Sequence, residues 1–243
     1  MTSIASHVFW RQGWNTTAEP TLAIALAGLN LRTQELNSQT WDFQAGTIGE
    51  TAAAECVFFA PAAEGWSGLQ LPLGSPLGEP LAEALSRQSN GIVLLVREVG
   101  QTWGYWLYDQ GRVLDRFWSM PSMVDVSPES AMGGPSRLSE AFGIPAGQIT
   151  PYLNHLSPDE VSPARAFPDD EFALGDPWVR VDFLRRLGLS YPRPFPPANG
   201  RFFQWVPLTS GPLGNVGPGA APLDPGAHPP PTHPNSTGQF GHS

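Results

Sequence analysis

Arginine and aromatic side chains are concentrated between Gly91 and Pro121. Guanidinium groups stack on aromatic rings, and the two together can hold a carboxylate, a phosphate or a base. The segment has the pattern of three successive antiparallel strands, in which side chains alternate between the faces of the sheet. One face is predicted to carry the candidate binding residues Trp106, Tyr108, Arg112, Arg116 and Trp118.

The register of these strands is predicted from the loop at residues 109–111, in which Gly111 suits a left-handed position after a type I turn. Tyr108 then pairs with Arg112, and Gly104 opposes Arg116, which leaves space for a ligand near the backbone. Alternatively, helices pack on this face, or the arginines only cover exposed rings.

Asp115 is predicted to lie on the opposite face, among aromatic and apolar side chains. A partly buried carboxylate there needs a partner, such as the Tyr105 hydroxyl or an arginine. Two interpretations remain open: a structural, hydrogen-bonded aspartate, or a general acid whose pKa is raised by burial. The neighbours predicted on this face are Trp103, Tyr105, Leu107, Val113 and Phe117.

Histidine and acidic residues give few candidates for a metal or a triad. Three of the five histidines follow residue 207, so His7 and His155 are left for the folded part. These two exclude a three-histidine zinc site there, and a Ser-His-Asp triad would need one of them. His155 with Asp159 and Glu160, or the acidic residues 169–171, lack a recognised ligand spacing. We therefore predict no metal and no cofactor.

Lysine and cysteine usage excludes several enzyme classes. All thirteen basic residues are arginine, so the chain lacks the lysine of a P-loop, a kinase strand or a pyridoxal phosphate site. Cys56 is the single cysteine, which excludes an intrachain disulfide and a cysteine-rich metal centre. Its apolar surroundings predict a small core residue in a strand.

The net charge of −9 opposes nonspecific binding to nucleic acid or anionic membranes and favours a basic partner protein. No apolar run approaches the roughly 20 residues of a membrane span, and the N-terminus lacks the pattern of a secretory signal. We predict a cytoplasmic protein that binds neither nucleic acid nor membrane. The sequence does not indicate its oligomeric state.

The positions of proline and glycine residues predict where the remaining elements begin and end. Strands are expected around 40–44 and 55–60 and near His7 to Trp14, and a loop over 61–80. The helices are predicted to begin near Pro20, Pro80 and Pro135, at the N-cap Asp176, and in the less regular segment 146–153.

The helix capped by Asp176 is predicted to end at Gly188. Its apolar stripe is expected to face the core and its arginines to face water. The stripe comprises Trp178, Val181, Leu184 and Leu187, and the arginines are Arg180, Arg185 and Arg186. The prolines that follow Tyr191 oppose regular structure.

A short helix, an apolar strand, the hairpin YWLYDQGRVLDRFWSMP and the helix PSRLSEAFGI follow each other over about residues 79 to 145. This succession resembles one found in uncharacterised bacterial proteins. The resemblance implies a small α+β domain, with no known activity and no functional residue to carry over.

The sequence therefore predicts a single α+β domain over residues 1–206, with a mostly antiparallel sheet and flanking helices. A tail rich in proline and glycine, residues 207–243, is predicted to be disordered. The leading hypothesis for function is a non-catalytic binding or protein-interaction protein. The alternatives are an acidic immunity-type protein that neutralises a basic partner, and a small hydrolase that uses Asp115 or His155.

Overall fold

An eight-stranded antiparallel sheet is the frame of the protein in the computed structural model. The structure describes residues 4–11, 18–36, 41–42, 47–48, 51–52, 57–72, 74–157, 163–191 and 201–208. Cys56 lies outside this part of the chain, and so does the predicted tail except for its first two residues. Residues up to Leu208 belong to one compact unit.

The strands of the large sheet lie in the order β10-β9-β8-β1-β7-β6-β11-β2, and every neighbouring pair is antiparallel. The first strand of the chain is therefore central, and the last strand of the meander is an edge. The strands are β1 Ile4–Arg11, β2 Leu31–Glu35, β6 Val57–Ala63, β7 Trp66–Gln70, β8 Ile92–Val99, β9 Thr102–Asp109, β10 Arg112–Trp118 and β11 Arg201–Pro207. A small second sheet pairs β3 Trp41–Asp42, β4 Thr47–Ile48 and β5 Thr51–Ala52.

Helices cover both faces of the large sheet. The first face packs against α1 Ala18–Ala27 and α2 Gly78–Ser89, and the second packs against α3 Pro135–Phe142 and α4 Val179–Arg186. Short 3-10 turns occupy 121–124, 128–131, 146–148 and 150–153. Alternating residues of each central strand consequently enter two separate apolar cores, as a strand covered on both sides requires. The predicted α+β architecture is confirmed.

The predicted meander is confirmed, but its register differs from the expected one. Gln110 and Gly111 are both left-handed, with φ of 49° and 77°, so they form a two-residue turn and Arg112 pairs with Asp109. A bulge between Val113 and Asp115 then shifts the pairing by one more residue. Beyond the bulge the pairing is therefore two residues away from the predicted one, and an even shift leaves each side chain on its predicted face. Arg112 precedes the bulge, where the shift is one residue, so it falls on the face opposite to the predicted one.

Three strands of the sheet were not expected from the sequence. β2 lies between the first predicted helix and the strand predicted around 40–44. β7 lies in the region predicted to be a loop, and β11 follows the proline-rich stretch. β11 inserts between β6 and β2 and extends to Pro207, which pairs with Leu31. Leu208 adds a further backbone hydrogen bond, its N–H donating to the carbonyl of Asn30 at 2.8 Å. Regular structure thus passes the predicted domain boundary at residue 206.

Helix α4 differs from its prediction in which side it buries. Arg180 is only 2% exposed, while Trp178 is 37% exposed, so the predicted roles of these two residues are wrong. Leu184 and Leu187 are buried as predicted, whereas Val179 and Phe183 take the core positions predicted for Trp178 and Val181. The buried residues of this region are Val179, Arg180, Asp182, Phe183, Leu184 and Leu187. Among the described residues, no helix is long and apolar enough to cross a membrane.

Candidate functional site

The three aromatic residues of the predicted site are core residues. Trp106, Tyr108 and Trp118 are buried against the helices of the first face. The indole of Trp118 lies over Gly104, where an added Cβ would come within 2.6 Å of the ring. The space predicted for a ligand at Gly104 is therefore filled, because the register places this glycine opposite Trp118 rather than Arg116.

Arg116, by contrast, is exposed on the rim of a depression of about 610 Å³ beside the edge strand β10. This volume is within the range of small-molecule and side-chain sites. The depression is bounded by the middle of β10, by the turn at 128–131 and by the start of α3. Its lining residues are Glu79, Trp106, Val113, Leu114, Asp115, Arg116, Glu129, Ser130, Met132, Gly133, Gly134 and Arg137.

The depression gathers apolar side chains that face solvent. Seven large apolar side chains of the described residues are exposed, and three of them line the depression. Val113 is 50% exposed, Leu114 is 40% exposed and Met132 is 62% exposed. An exposed apolar cluster with a polar rim is the composition of an interaction surface.

The bulge and a returning loop together make this arrangement. Met132 forms a bridge to Phe117 on the outer side of β10, and the Gly133 N–H donates to the carbonyl of Arg116 at 3.0 Å. From Arg112 to Asp115, no strand of the described chain pairs with this outer side. The loop therefore protects one half of the edge and leaves the other half open.

The charged groups of the depression differ in how they are paired. Glu79 is in an ion pair with Arg97 at 2.7 Å. The Nε–H of Arg116 donates to the carbonyl of Ser130. No carboxylate of the described residues is within ion-pair distance of Arg116 or of Arg137, and Glu129 has no cationic partner there either. Two guanidinium groups and the Glu129 carboxylate thus lie without ionic partners in the described chain, and Asp115 has hydrogen bonds but no cationic partner there.

Asp115 has one of the two kinds of partner that the sequence suggests for it, the Tyr105 hydroxyl. The Tyr105 hydroxyl donates to Asp115 Oδ2 at 2.6 Å, and the Gly134 N–H donates to the same oxygen at 2.8 Å. Burial, followed by the nearby Asp115 carboxylate, raises the pKa of Tyr105 well above its ordinary value. The phenol therefore stays protonated and keeps donating, so the contact joins β10 to the start of α3.

His155, the other candidate of the hydrolase hypothesis, contacts the end of the turn at 128–131. Its Nε2 lies 3.0 Å from the carbonyl oxygen of Ala131, which can only accept, and its ring stacks near Phe117 at 5.9 Å between centroids. These contacts hold the turn at 128–131 in place. No hydrogen bond of the described residues joins His155 to Asp115.

A buried arginine, which the sequence did not predict, lies at the start of α4. The Arg180 guanidinium pairs with Glu98 at 2.5 Å and donates to the carbonyl of Pro177 at 2.6 Å. It also stacks on Trp178 at 4.2 Å and on Tyr191 at 5.5 Å. Pro177 and Trp178 are neighbours in the sequence, but Glu98 and Tyr191 come from other segments, which is why helical periodicity could not indicate a buried arginine.

His7 completes this region. Its ring lies 4.9 Å from that of Tyr191. Burial, and then the positive charge of Arg180, lower its pKa to about 3, against a weaker opposing effect of a hydrogen bond to Gln70. The imidazole is therefore neutral at ordinary pH, and its buried Nε2 has no hydrogen-bond partner among the described residues.

The acidic residues considered as a metal site form ion pairs with the last turn of α4. Asp169 and Asp170 both contact Arg185 and Arg186 at 2.5 to 3.0 Å. Hydrogen bonds from Arg186 and then Arg185 lower the pKa of Asp169 to about 2. In the described part of the chain, no group of three or more potential ligands could hold a metal ion. Asp159 and Glu160 lie outside it.

Comparisons of the chain with protein-family models, with curated proteins and with solved structures found no match. The resemblance of residues 79 to 145 to uncharacterised bacterial proteins therefore stays a prediction.

Proposed function

We propose that this chain is a non-catalytic protein-interaction protein, and that a partner protein inserts an apolar side chain into the depression beside β10. The observation that carries the proposal is the coincidence, in one concave place, of Val113, Leu114 and Met132 with unpaired charged groups on the rim. Binding energy at protein interfaces is concentrated where an anchor side chain fills such an apolar pocket inside a polar rim.

The chemistry of the neighbouring polar groups favours binding over catalysis. Asp115 accepts two hydrogen bonds that fasten β10 to α3, and His155 holds the turn at 128–131. A general acid or base needs a proton-transfer position facing the substrate. Asp115 Oδ2 and His155 Nε2 both contact structural partners, so these two residues support the walls of the depression.

The experiment combines affinity capture with a quantitative titration. The full chain is used to capture proteins from its own cell extract, and each captured protein is purified and titrated against wild type, Leu114→Asp and Ile24→Asp. Ile24 is a matched control because it is a large apolar residue that is 55% exposed on α1. We expect Leu114→Asp to weaken the partner by about tenfold or more, since a charge replaces the apolar contact.

The control variant is expected to bind as wild type does, and both variants should melt at the wild-type temperature. A partner that binds Leu114→Asp as tightly as wild type would contradict the proposal. So would the absence of any captured protein whose binding depends on Leu114.

A further inference from the structure

We propose that the partner segment carries a carboxylate next to its apolar anchor, and that Arg116 and Arg137 bind this carboxylate. The inference rests on the proposed function, because it assigns the chemistry of the group that enters the same depression. The proposed partner segment is acidic, whereas the net charge of the whole chain favours a basic partner.

The pairing state of each charged group supports a carboxylate. Glu79 is already paired with Arg97, and Asp115 accepts from Tyr105 and Gly134. Arg116 uses its Nε–H on the Ser130 carbonyl, which leaves its two Nη groups available. Arg137 has no carboxylate of the described residues near enough to pair with it. An incoming carboxylate therefore meets donors that are not committed elsewhere. It is opposed by the carboxylates of Glu129 and Asp115, which line the same depression and have no cationic partner in the described chain.

Arg116 and Arg137 both line the depression. Arg116 lies on β10 and Arg137 lies in the first turn of α3, so the two approach the depression from different walls. Gly134 keeps the space between the walls open: a Cβ there would lie 3.2 Å from Arg137 Cγ and 3.5 Å from the Asp115 carboxylate. Planar guanidinium groups hold carboxylates through paired N–H donors, which gives geometric selectivity as well as attraction.

The form of β10 favours a short docked segment over edge-to-edge pairing with a second copy of the chain. The bulge twists the strand between Val113 and Asp115, and bulges and charges along an edge are devices that oppose strand addition. Arg112, Asp115 and Arg116 place such charges along this edge. The loop at Met132 also occupies its outer side at Phe117. The site therefore suits inserted side chains.

The test uses three blocked hexapeptides as probes, with the full-length protein labelled on its valine, leucine and methionine methyl groups. In the first peptide two central leucines are flanked by aspartates, in the second by lysines, and in the third aspartates flank two serines. We expect the first peptide to shift the methyl signals of Val113, Leu114 and Met132 saturably in NMR spectra. The lysine and serine peptides should bind at least about tenfold more weakly.

The matched variants are Arg116→Gln with Arg137→Gln, and Arg165→Gln as a control for loss of an exposed arginine elsewhere. We expect the double variant to weaken the first peptide by about tenfold or more, and the control to have no effect. Raising the salt concentration should weaken wild-type binding, since the Debye length is about 8 Å at physiological ionic strength.

The outcomes separate the two proposals. Equal or tighter binding of the lysine peptide, unchanged binding in the double variant, or no binding of any peptide would overturn the carboxylate inference. If the partner found by capture loses affinity for Leu114→Asp but not for the double arginine variant, the proposed function stands and the carboxylate is wrong. If it loses affinity for neither, both proposals fail.

Discussion

Arginine has opposite environments in two regions of this molecule. Under α4, Arg180 is almost fully buried, and a carboxylate, a carbonyl and two aromatic rings surround it. Beside β10, Arg116 and Arg137 are exposed and have no carboxylate partner in the described chain. A buried cation requires compensation for its lost hydration, whereas an exposed one keeps its capacity for a ligand. The residue type alone therefore does not indicate whether an arginine is available to a ligand, whereas its pairing state does.

The largest effect is expected where the arginine is buried. Arg180→Met should lower the free energy of unfolding by about 3–5 kcal/mol, because it leaves Glu98 without its partner in a partly buried place. Urea unfolding of the variant against wild type measures this loss. Arg165→Met, at an exposed site, should change stability by no more than about 0.5 kcal/mol.

A double variant tests the cause of that loss. Glu98→Gln removes the stranded charge, so Arg180→Met combined with Glu98→Gln should be less destabilised than the sum of the single variants. Strict additivity would show that the ion pair is not the source of stability, and would remove the contrast between the two regions.

The same buried region predicts a dependence of stability on pH. The pKa of His7 is about 3 in the folded protein, against an ordinary value of 6.5. Above pH 6.5 both states are neutral at this residue. As the pH falls below 6.5 only the unfolded chain takes up the proton, so stability is lost. The loss from His7 should reach about 2 kcal/mol by pH 5, at about 1.4 kcal/mol per pH unit.

A non-titrating variant isolates this contribution from the carboxylates that also respond to acid. The difference in unfolding free energy between wild type and His7→Gln, measured in urea at a series of pH values, should change with that slope below pH 6.5. A difference that is constant between pH 7 and pH 5 would mean that His7 titrates normally, and hence that it is not enclosed beside Arg180.

Substitution of Asp115, in the wall of the depression, should lower the free energy of unfolding less than substitution of the buried Arg180. Asp115→Ala leaves the buried Tyr105 hydroxyl and the Gly134 N–H without their acceptor, at about 1–3 kcal/mol. Asp109→Ala, next to the turn of the same hairpin, should cost less. Equal or reversed losses in urea melts would contradict the role of Asp115 in joining β10 to α3.

The smallest effect on stability is expected from the proposed binding arginines. Arg116→Gln together with Arg137→Gln should change the free energy of unfolding by about 0.5 kcal/mol or less, as exposed and unpaired charges do. Thermal and urea melts check this. A loss comparable to that of Arg180→Met would assign these arginines to the structure rather than to a ligand.

Sequence reasoning succeeded where the determinants are local. Strand alternation and turn residues predicted the meander and the contact between Asp115 and Tyr105, and the proline–glycine pattern predicted α3 over 135–142. The two-residue turn was missed because glutamine at 110 rarely adopts a positive φ, and the bulge then compensated for the slip. Faces beyond the bulge were consequently right although the paired residues were not.

The sequence could not predict features that depend on distant partners. Arg180 is buried because Glu98 of β8 and Tyr191 beyond α4 meet around it, whereas helical periodicity alone predicted that it faces water. The depression likewise requires the chain to return from Met132 to Arg137 along an edge strand. Of the predicted binding residues, Arg116 does lie on the rim of the depression. The three aromatic residues predicted with it are buried in the core.

The most direct test of the central claim is site-specific crosslinking of the partner. A photoreactive amino acid replaces Leu114 in one version of the full chain and Ile24 in another, and both are illuminated with the partner or with the acidic leucine peptide. Binding in the depression predicts a strong crosslink from position 114, none from position 24, and loss of the crosslink when Arg116 and Arg137 are both changed to glutamine. Equal crosslinking from both positions, or none from position 114, would contradict it.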